Sequence, residues 1–122
     1  MSVAEAMGIS DDLVLSVLRQ HWGRWSAQLE VFATAPEDPG QLCGWLRTAG
    51  SHDTNDVLCG FAELAATDGY DDADAARVLA WAVLPAAGQL ARLWRRALPD
   101  VDMHVAAALW IEVRTVPWQP PD

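Results

Sequence analysis

The side chains of this sequence that could do chemistry are three histidines, two cysteines and three aspartate pairs. His21, Cys43, His52, Cys59 and His104 stand singly, with no C-x-x-C or H-x-x-x-H spacing that would bring several ligands to one metal ion. Both cysteines fall in predicted helices among apolar neighbours, which predicts buried, reduced thiols. A Cys43–Cys59 disulfide is open in principle but disfavoured in a reducing compartment. The pairs Asp11-Asp12, Asp71-Asp72 and Asp100/Asp102 could be read as acid–base or metal-binding carboxylates. Each sits where a helix is expected to begin, and carboxylates stabilise that positive helix end without any chemistry. No G-x-S-x-G elbow and no glycine-rich phosphate loop occurs. No catalytic group, metal or cofactor is expected.

The elements that would position these residues are helical throughout. Ser10 caps a first helix whose apolar residues Leu13, Val17, Leu18, Trp22, Trp25, Leu29 and Phe32 recur at three- and four-residue spacing for about six turns. Ala35-Pro36-Glu37-Asp38-Pro39-Gly40 breaks it. A short helix over Gln41–Thr48 buries Leu42, Trp45 and Leu46, and Ala49-Gly50-Ser51-His52 ends it. Asp53-Thr54-Asn55-Asp56 opens a third helix with Val57, Leu58, Phe61 and Leu64 inward, stopped at Asp68-Gly69. Asp71, with Asp74 three residues on, caps the longest helix, Ala73 to about Leu98. That helix is apolar nearly all round from Ala75 to Ala91, which predicts a central core position, and Pro85 predicts a kink or a split in two. Asp100 caps a last helix that ends at Val116-Pro117-Trp118. In that helix Val101, Val105, Ala108, Leu109 and Glu112 share one side, and Met103, Ala107, Trp110, Ile111 and Arg114 another. No segment alternates with a period of two residues. The expectation is an all-α bundle of five to six helices around a central apolar helix. It consists of a flexible tail at 1–9, one domain at 10–118 and a frayed tail at 119–122.

Composition narrows the partners. At 52 % apolar residues, the 122-residue chain can bury a core. A net charge of −9 argues against non-specific nucleic-acid binding, which needs basic side chains to neutralise phosphates. Residues 1–70 hold ten acids against three arginines, and residues 71–122 hold seven against five. The beginning Met1-Ser2-Val3-Ala4-Glu5 lacks the basic start and apolar run of an export signal. The longest uncharged apolar stretch, Val78 to Ala91, falls short of the roughly 20 residues a membrane span needs. A cytoplasmic protein without membrane contact is expected. Of the seven tryptophans, Trp22, Trp25, Trp45, Trp81 and Trp94 fit core faces. Trp110 and Trp118 gather with Ile111 and Val116 as a candidate binding patch.

The run from Leu84 to Asp102, LPAAGQLARLWRRALPDVD, with the helix after it resembles region 2 of bacterial sigma factors. In that family a helix ending in a basic turn leads through a short Asp-containing link into a helix of pattern D-L-V-Q-E-x-F-L-x-x-W-R. Leu90-Ala91-Arg92 through Arg96 corresponds to the basic turn, Val105 to the apolar position, Leu109-Trp110 to the bulky pair and Arg114 to the trailing basic residue. The segment Leu109 to Trp118 also resembles an LWIEVRTFPW-like stretch in a group of uncharacterised actinobacterial proteins. The family's polar Q-E pair, part of its polymerase-docking surface, is replaced by Ala106 and Ala107, and its acidic-leucine step by Met103-His104. The sequence reaches Asp122 without a counterpart of the promoter-melting helix, so promoter recognition of the ordinary sigma type is not expected.

The resemblance implies a non-enzymatic protein that modulates bacterial transcription by binding RNA polymerase or a transcription factor. Arg92, Arg95, Arg96 and Arg114 are its candidate polar contacts, and Trp110, Ile111 and Trp118 its apolar anchors. Helix-dipole complement and solvation account for the arginines without any partner, and somewhat more simply. The acidic charge suggests an alternative, an inhibitor or immunity-type protein that occupies a basic, nucleic-acid-binding partner.

Overall fold

A computed structural model describes residues 2–47 and 52–118 of the chain. Among them are six α-helices, one 3-10 turn and no strand: α1 (Val3–Met7), α2 (Asp11–Gln28), the 3-10 turn Glu30–Thr34, α3 (Pro39–Leu46), α4 (His52–Ala65), α5 (Ala73–Trp94) and α6 (Val101–Thr115). The fold is an all-α bundle, as the periodicity predicts. No helix among the described residues is long and apolar enough to cross a membrane. The turn expected at 49–51 and the tail expected at 119–122 lie outside the described residues.

The first helix in the chain is not at Ser10. Within the stretch expected to be a flexible tail, Ser2 Oγ accepts a bond from the Glu5 N–H at 3.1 Å and starts α1. Gly8, at φ +68°, closes it in the left-handed conformation that glycine adopts without penalty. Val3 is buried with Ala91, Val101 and Ala106, and Ala6 and Met7 pack beside them, so this apolar face holds α1 against α5 and α6.

Ser10 does cap α2, with its hydroxyl accepting from the Leu13 N–H at 3.1 Å. The helix ends at Gln28, a turn earlier than the apolar stripe suggests. Leu29 is extended, and the 3-10 turn then brings Phe32 into the core. There Phe32 meets Trp22 at 5.1 Å and Phe61 at 5.0 Å between ring centroids, and Trp25 packs edge-on to Phe61 at 5.7 Å. This approach depends on Gly60 of α4. A Cβ there would lie 2.8 Å from a Phe32 ring carbon and 2.9 Å from a Val31 methyl.

Pro39 starts α3, whose first residue needs no backbone donor. Leu42 and Leu46 are buried on its inner face and Trp45 is half-buried.

Asp72, one residue later than expected, caps α5. Its carboxylate accepts from the Asp74 and Ala75 N–H groups at 3.0 and 3.2 Å, and from the Trp25 indole at 3.0 Å. Asp71 instead takes the left-handed conformation at φ +53° and pairs with Arg114. The corner before it is tied by the Thr67 N–H to the Arg114 carbonyl at 2.9 Å and by the Trp118 indole to Asp68 at 3.1 Å. Gly69 is required in this corner by crowding, not by a left-handed cap, because a Cβ would fall 2.1 Å from the Glu63 carbonyl oxygen.

Pro85 does not break α5, which is helical from Ala73 to Trp94. Proline leaves the carbonyl four residues earlier, that of Trp81, without its helical donor. Arg47 supplies the replacement: its Nη2 donates to the Trp81 carbonyl at 2.9 Å, and its guanidinium lies 3.8 Å from the Trp81 ring centroid. Asp11 completes the group, accepting from the Trp81 indole at 2.8 Å and lying 3.9 Å from Arg47. Arg47→Ala is expected to lower stability by about 1–3 kcal/mol in a urea titration, the cost of a buried acceptor left unsatisfied. Pro85→Ala, which restores the N–H, is expected to recover a large part of that loss. An equal loss from Arg47→Ala in both backgrounds would contradict this role.

The expectation of a central core helix holds for only half of α5. Ala75, Ala76, Val78, Leu79, Ala80 and Trp81 are buried, but beyond Trp81 only Ala91 is. The five residues of α1 and the start of α6 are what cover the second half, so its remaining faces stay open. The inner face of α6 is likewise neither of the two expected stripes. Val101, Asp102, Ala106 and Val113 are its buried residues, and Leu109 and Trp110 are half-buried.

Candidate interaction surface

The open half of α5 carries a row of large apolar side chains. Ala86, Leu90 and Trp94 recur at four-residue spacing, and Leu98 continues the series in the turn that follows. Four-residue spacing makes a ridge along a helix of the kind that fits the groove of a second helix. Leu93 flanks the ridge and is 80 % exposed; Trp94 is 54 % exposed, and Leu90 and Leu98 are about half exposed. Isolated exposed leucines need no explanation, whereas a contiguous ridge with a half-exposed Trp is a candidate interaction surface. The spacing predicts Trp94 in the core, and the structure corrects that: α1 and the start of α6 cover the Ala91 side of α5 and leave the Trp94 side exposed.

Charge sets this end of the helix apart. From Ala75 to Pro99 the chain carries four arginines and no acid, within a molecule of net charge −9. Arg77 is paired with Asp74 at 2.7 Å. Arg95 is bound to Asp102 through Nη2 at 2.9 Å and Nε at 3.2 Å. Arg92 and Arg96 make no ion pair among the described residues and are exposed beside Leu93. Among the described residues Arg19 also makes none, whereas Arg24, Arg47 and Arg114 meet Asp72, Asp11 and Asp71.

The seven residues singled out in the sequence therefore divide. Arg92 and Arg96 are exposed at the end of α5, Arg92 on the side of the helix away from the apolar ridge, and Ile111 is exposed on α6. Arg95, Arg114 and Trp118 are engaged inside the fold, through Asp102, Asp71 and Asp68 respectively. Trp110 is half-buried with the guanidinium carbons of Arg77 and Arg114 each 5.8 Å from its ring centroid. The spacing of Leu90, Leu93, Trp94 and Leu98 is that of a core stripe as well as of a docking ridge, so the sequence does not distinguish the two.

The aspartate pairs also resolve. Capping describes Asp72, but Asp11, Asp71 and Asp102 make tertiary bonds, and Asp100 meets His104 at 3.1 Å without capping α6 through its side chain. Asp102 is 4 % exposed. The bidentate hydrogen bonds from Arg95 hold its carboxyl below the usual carboxylate range, against the opposing effect of burial. A carboxylate with a folded pKa below its unfolded value of about 3.9 stabilises the fold above that value and loses this contribution as pH falls through the folded one. Asp102→Asn is therefore expected to be less stable than the parent at pH 7, with the gap narrowing below about pH 4. Urea midpoints across this range check it, and a gap independent of pH would refute the role of the pair.

The thiols and imidazoles form no shared centre. Cys43 and Cys59 are free, the first half-buried and the second exposed, contrary to the expectation that both would be buried. Burial first, and then the Asp11 carboxylate, push the Cys43 thiol up from its ordinary value. His21 has both ring nitrogens engaged, Nε2 with Asp74 and Nδ1 with Arg24, each at 3.0 Å. No group of three His, Cys, Asp or Glu among the described residues is placed to hold a metal ion.

No family model, curated protein or solved structure matches this chain. The exposed ridge is the feature that bears on function.

Proposed function

We propose that this chain is a non-enzymatic, cytoplasmic interaction protein that modulates bacterial transcription by docking the open end of α5 on RNA polymerase or a transcription factor. The observation that carries the proposal is the exposed ridge Leu90–Trp94–Leu98, with Leu93 beside it. The ridge lies within the segment that resembles sigma region 2, so the suggestion of a transcription partner and the open surface fall on the same residues. The alternative of an acidic inhibitor draws less support. The acids of residues 1–70 are dispersed over α1, α2, the 3-10 turn, α4 and the loops, and Asp11, Asp56 and Asp68 already hold Trp81, His52 and Trp118.

Affinity capture of the tagged chain from its host, with identification of the retained subunits, tests the proposal. Recovery of a polymerase subunit or a sigma factor is expected. A capture that retains neither would overturn it.

A further inference from the structure

We infer that the cavity between α2, the 3-10 turn and the start of α3 binds a free α-amino acid with a large apolar side chain. Its carboxylate would meet Arg19 and the Trp22 indole, and its ammonium Glu37. The site shares no residue with the α5 ridge and stands apart from the transcription proposal.

The cavity holds about 470 Å³, a volume ordinary for small-molecule sites. Arg19, Trp22, Gly23 and Ser26 line it from one side of α2, which their three- and four-residue spacing brings together. Phe32 of the 3-10 turn and Glu37 of the loop that follows line the other side.

Trp22 points to an acceptor in this space. Trp25 and Trp81, as deeply buried, each give the indole N–H to an aspartate. Trp22 is 5 % exposed, yet its N–H has no hydrogen-bond partner among the described residues. Nor is that N–H sealed from solvent, so it is left for whatever enters the cavity that Trp22 lines.

The charges point to a zwitterion. Arg19 and Glu37 line the same cavity, but they do not pair with each other or with any other described residue. A plain carboxylate would suit Arg19 and be repelled by Glu37, and a plain amine the reverse; an α-amino acid satisfies both. The Ser26 hydroxyl donates to the Gly23 carbonyl at 3.2 Å, which leaves its lone pairs to accept from the same ammonium. The rings of Trp22 and Phe32 and the prolyl wall at Pro39 suit an apolar side chain.

Gly23 keeps the space open. A glycine within a helix lowers its stability relative to alanine, and nothing in the fold requires one here. A Cβ at Gly23 would meet no atom within 4 Å. It would instead project from the wall of the cavity.

Heteronuclear NMR of the 15N-labelled full chain, following the assigned Trp22 indole N–H, tests the inference. L-Phenylalanine is expected to shift this resonance with a Kd of about 1 mM or below. 3-Phenylpropionate and phenethylamine, each lacking one charge, are expected to bind about tenfold more weakly, as is L-phenylalanine to Arg19→Gln. Gly23→Leu is expected to abolish binding while raising the thermal midpoint, a combination that damage to the fold would not produce. The inference would be overturned by an indole resonance unmoved at about ten times that concentration. It would equally be overturned by either singly charged analogue binding as tightly as the amino acid, or by undiminished binding to Arg19→Gln or Gly23→Leu.

Discussion

Phe61→Ala is expected to lower the free energy of unfolding by about 3–5 kcal/mol, a large share of the roughly 5–15 kcal/mol that keeps a domain folded. Phe61 is fully buried at the place where three elements meet. Its ring lies 5.0 Å from Phe32 of the 3-10 turn, and 5.7 and 6.1 Å from Trp25 and Trp22 of α2. Truncation would remove the contact surface of all three rings and leave a cavity whose walls belong to different helices. Such a site cannot collapse without moving α2 against α4. Phe61→Leu fills more of the space and is expected to cost less. Urea unfolding followed by tryptophan fluorescence reads the loss directly. A change below about 1 kcal/mol would mean that the aromatic cluster does not organise this core.

The double substitution Leu93→Asp with Trp94→Ala is expected to do the opposite: spare the fold and remove the function. Leu93 is the most exposed of the large apolar side chains among the described residues, and Trp94 is half out of the protein. Replacing residues so placed should change stability by no more than about 0.5 kcal/mol each. In an interface the same two residues would be its centre, because a Trp anchor with apolar neighbours carries binding energy out of proportion to its area. A loss of about 2 kcal/mol or more, corresponding to roughly thirtyfold weaker retention of the partner, is expected. Thermal unfolding and quantitative capture from host extract measure the two effects separately. Unchanged retention would remove the ridge from the account, and a collapse of the thermal midpoint would show that these side chains support the fold.

The all-α fold was legible in the sequence because its helices carry strong apolar periodicity and identifiable starts, as at Ser10, although α3 begins at Pro39, inside the stretch expected to be a breaker. What was not legible depends on tertiary position. Val3, Ala6 and Met7 are too few to announce a helix, and α1 is held by what it packs on. The spacing from Leu13 to Phe32 continues past the true end of α2, because a 3-10 turn can bring the next apolar residue inward as well as an α-helix can. Pro85 implied a kink, and only the fold shows that Arg47, distant in sequence, satisfies the carbonyl that Pro85 leaves open.

The same limit governs the candidate site. Leu90, Leu93 and Trp94 have the periodicity of a buried stripe, and whether a stripe faces a core or a partner is decided by which elements cross it. Arg92, Arg95 and Arg96 look alike in sequence, yet Asp102 takes up Arg95 and leaves the other two unpaired. The exposed arginines at the end of α5 are visible in the sequence, but the apolar ridge required the fold.

The most direct measurement is site-specific photocrosslinking from position 93 in the host, with the crosslinked protein identified. The account predicts a crosslink to an RNA polymerase subunit or another transcription factor, lost when Trp94→Ala is introduced alongside the probe. A crosslink to a protein outside transcription, or one to a polymerase subunit that persists undiminished with Trp94→Ala, would contradict it.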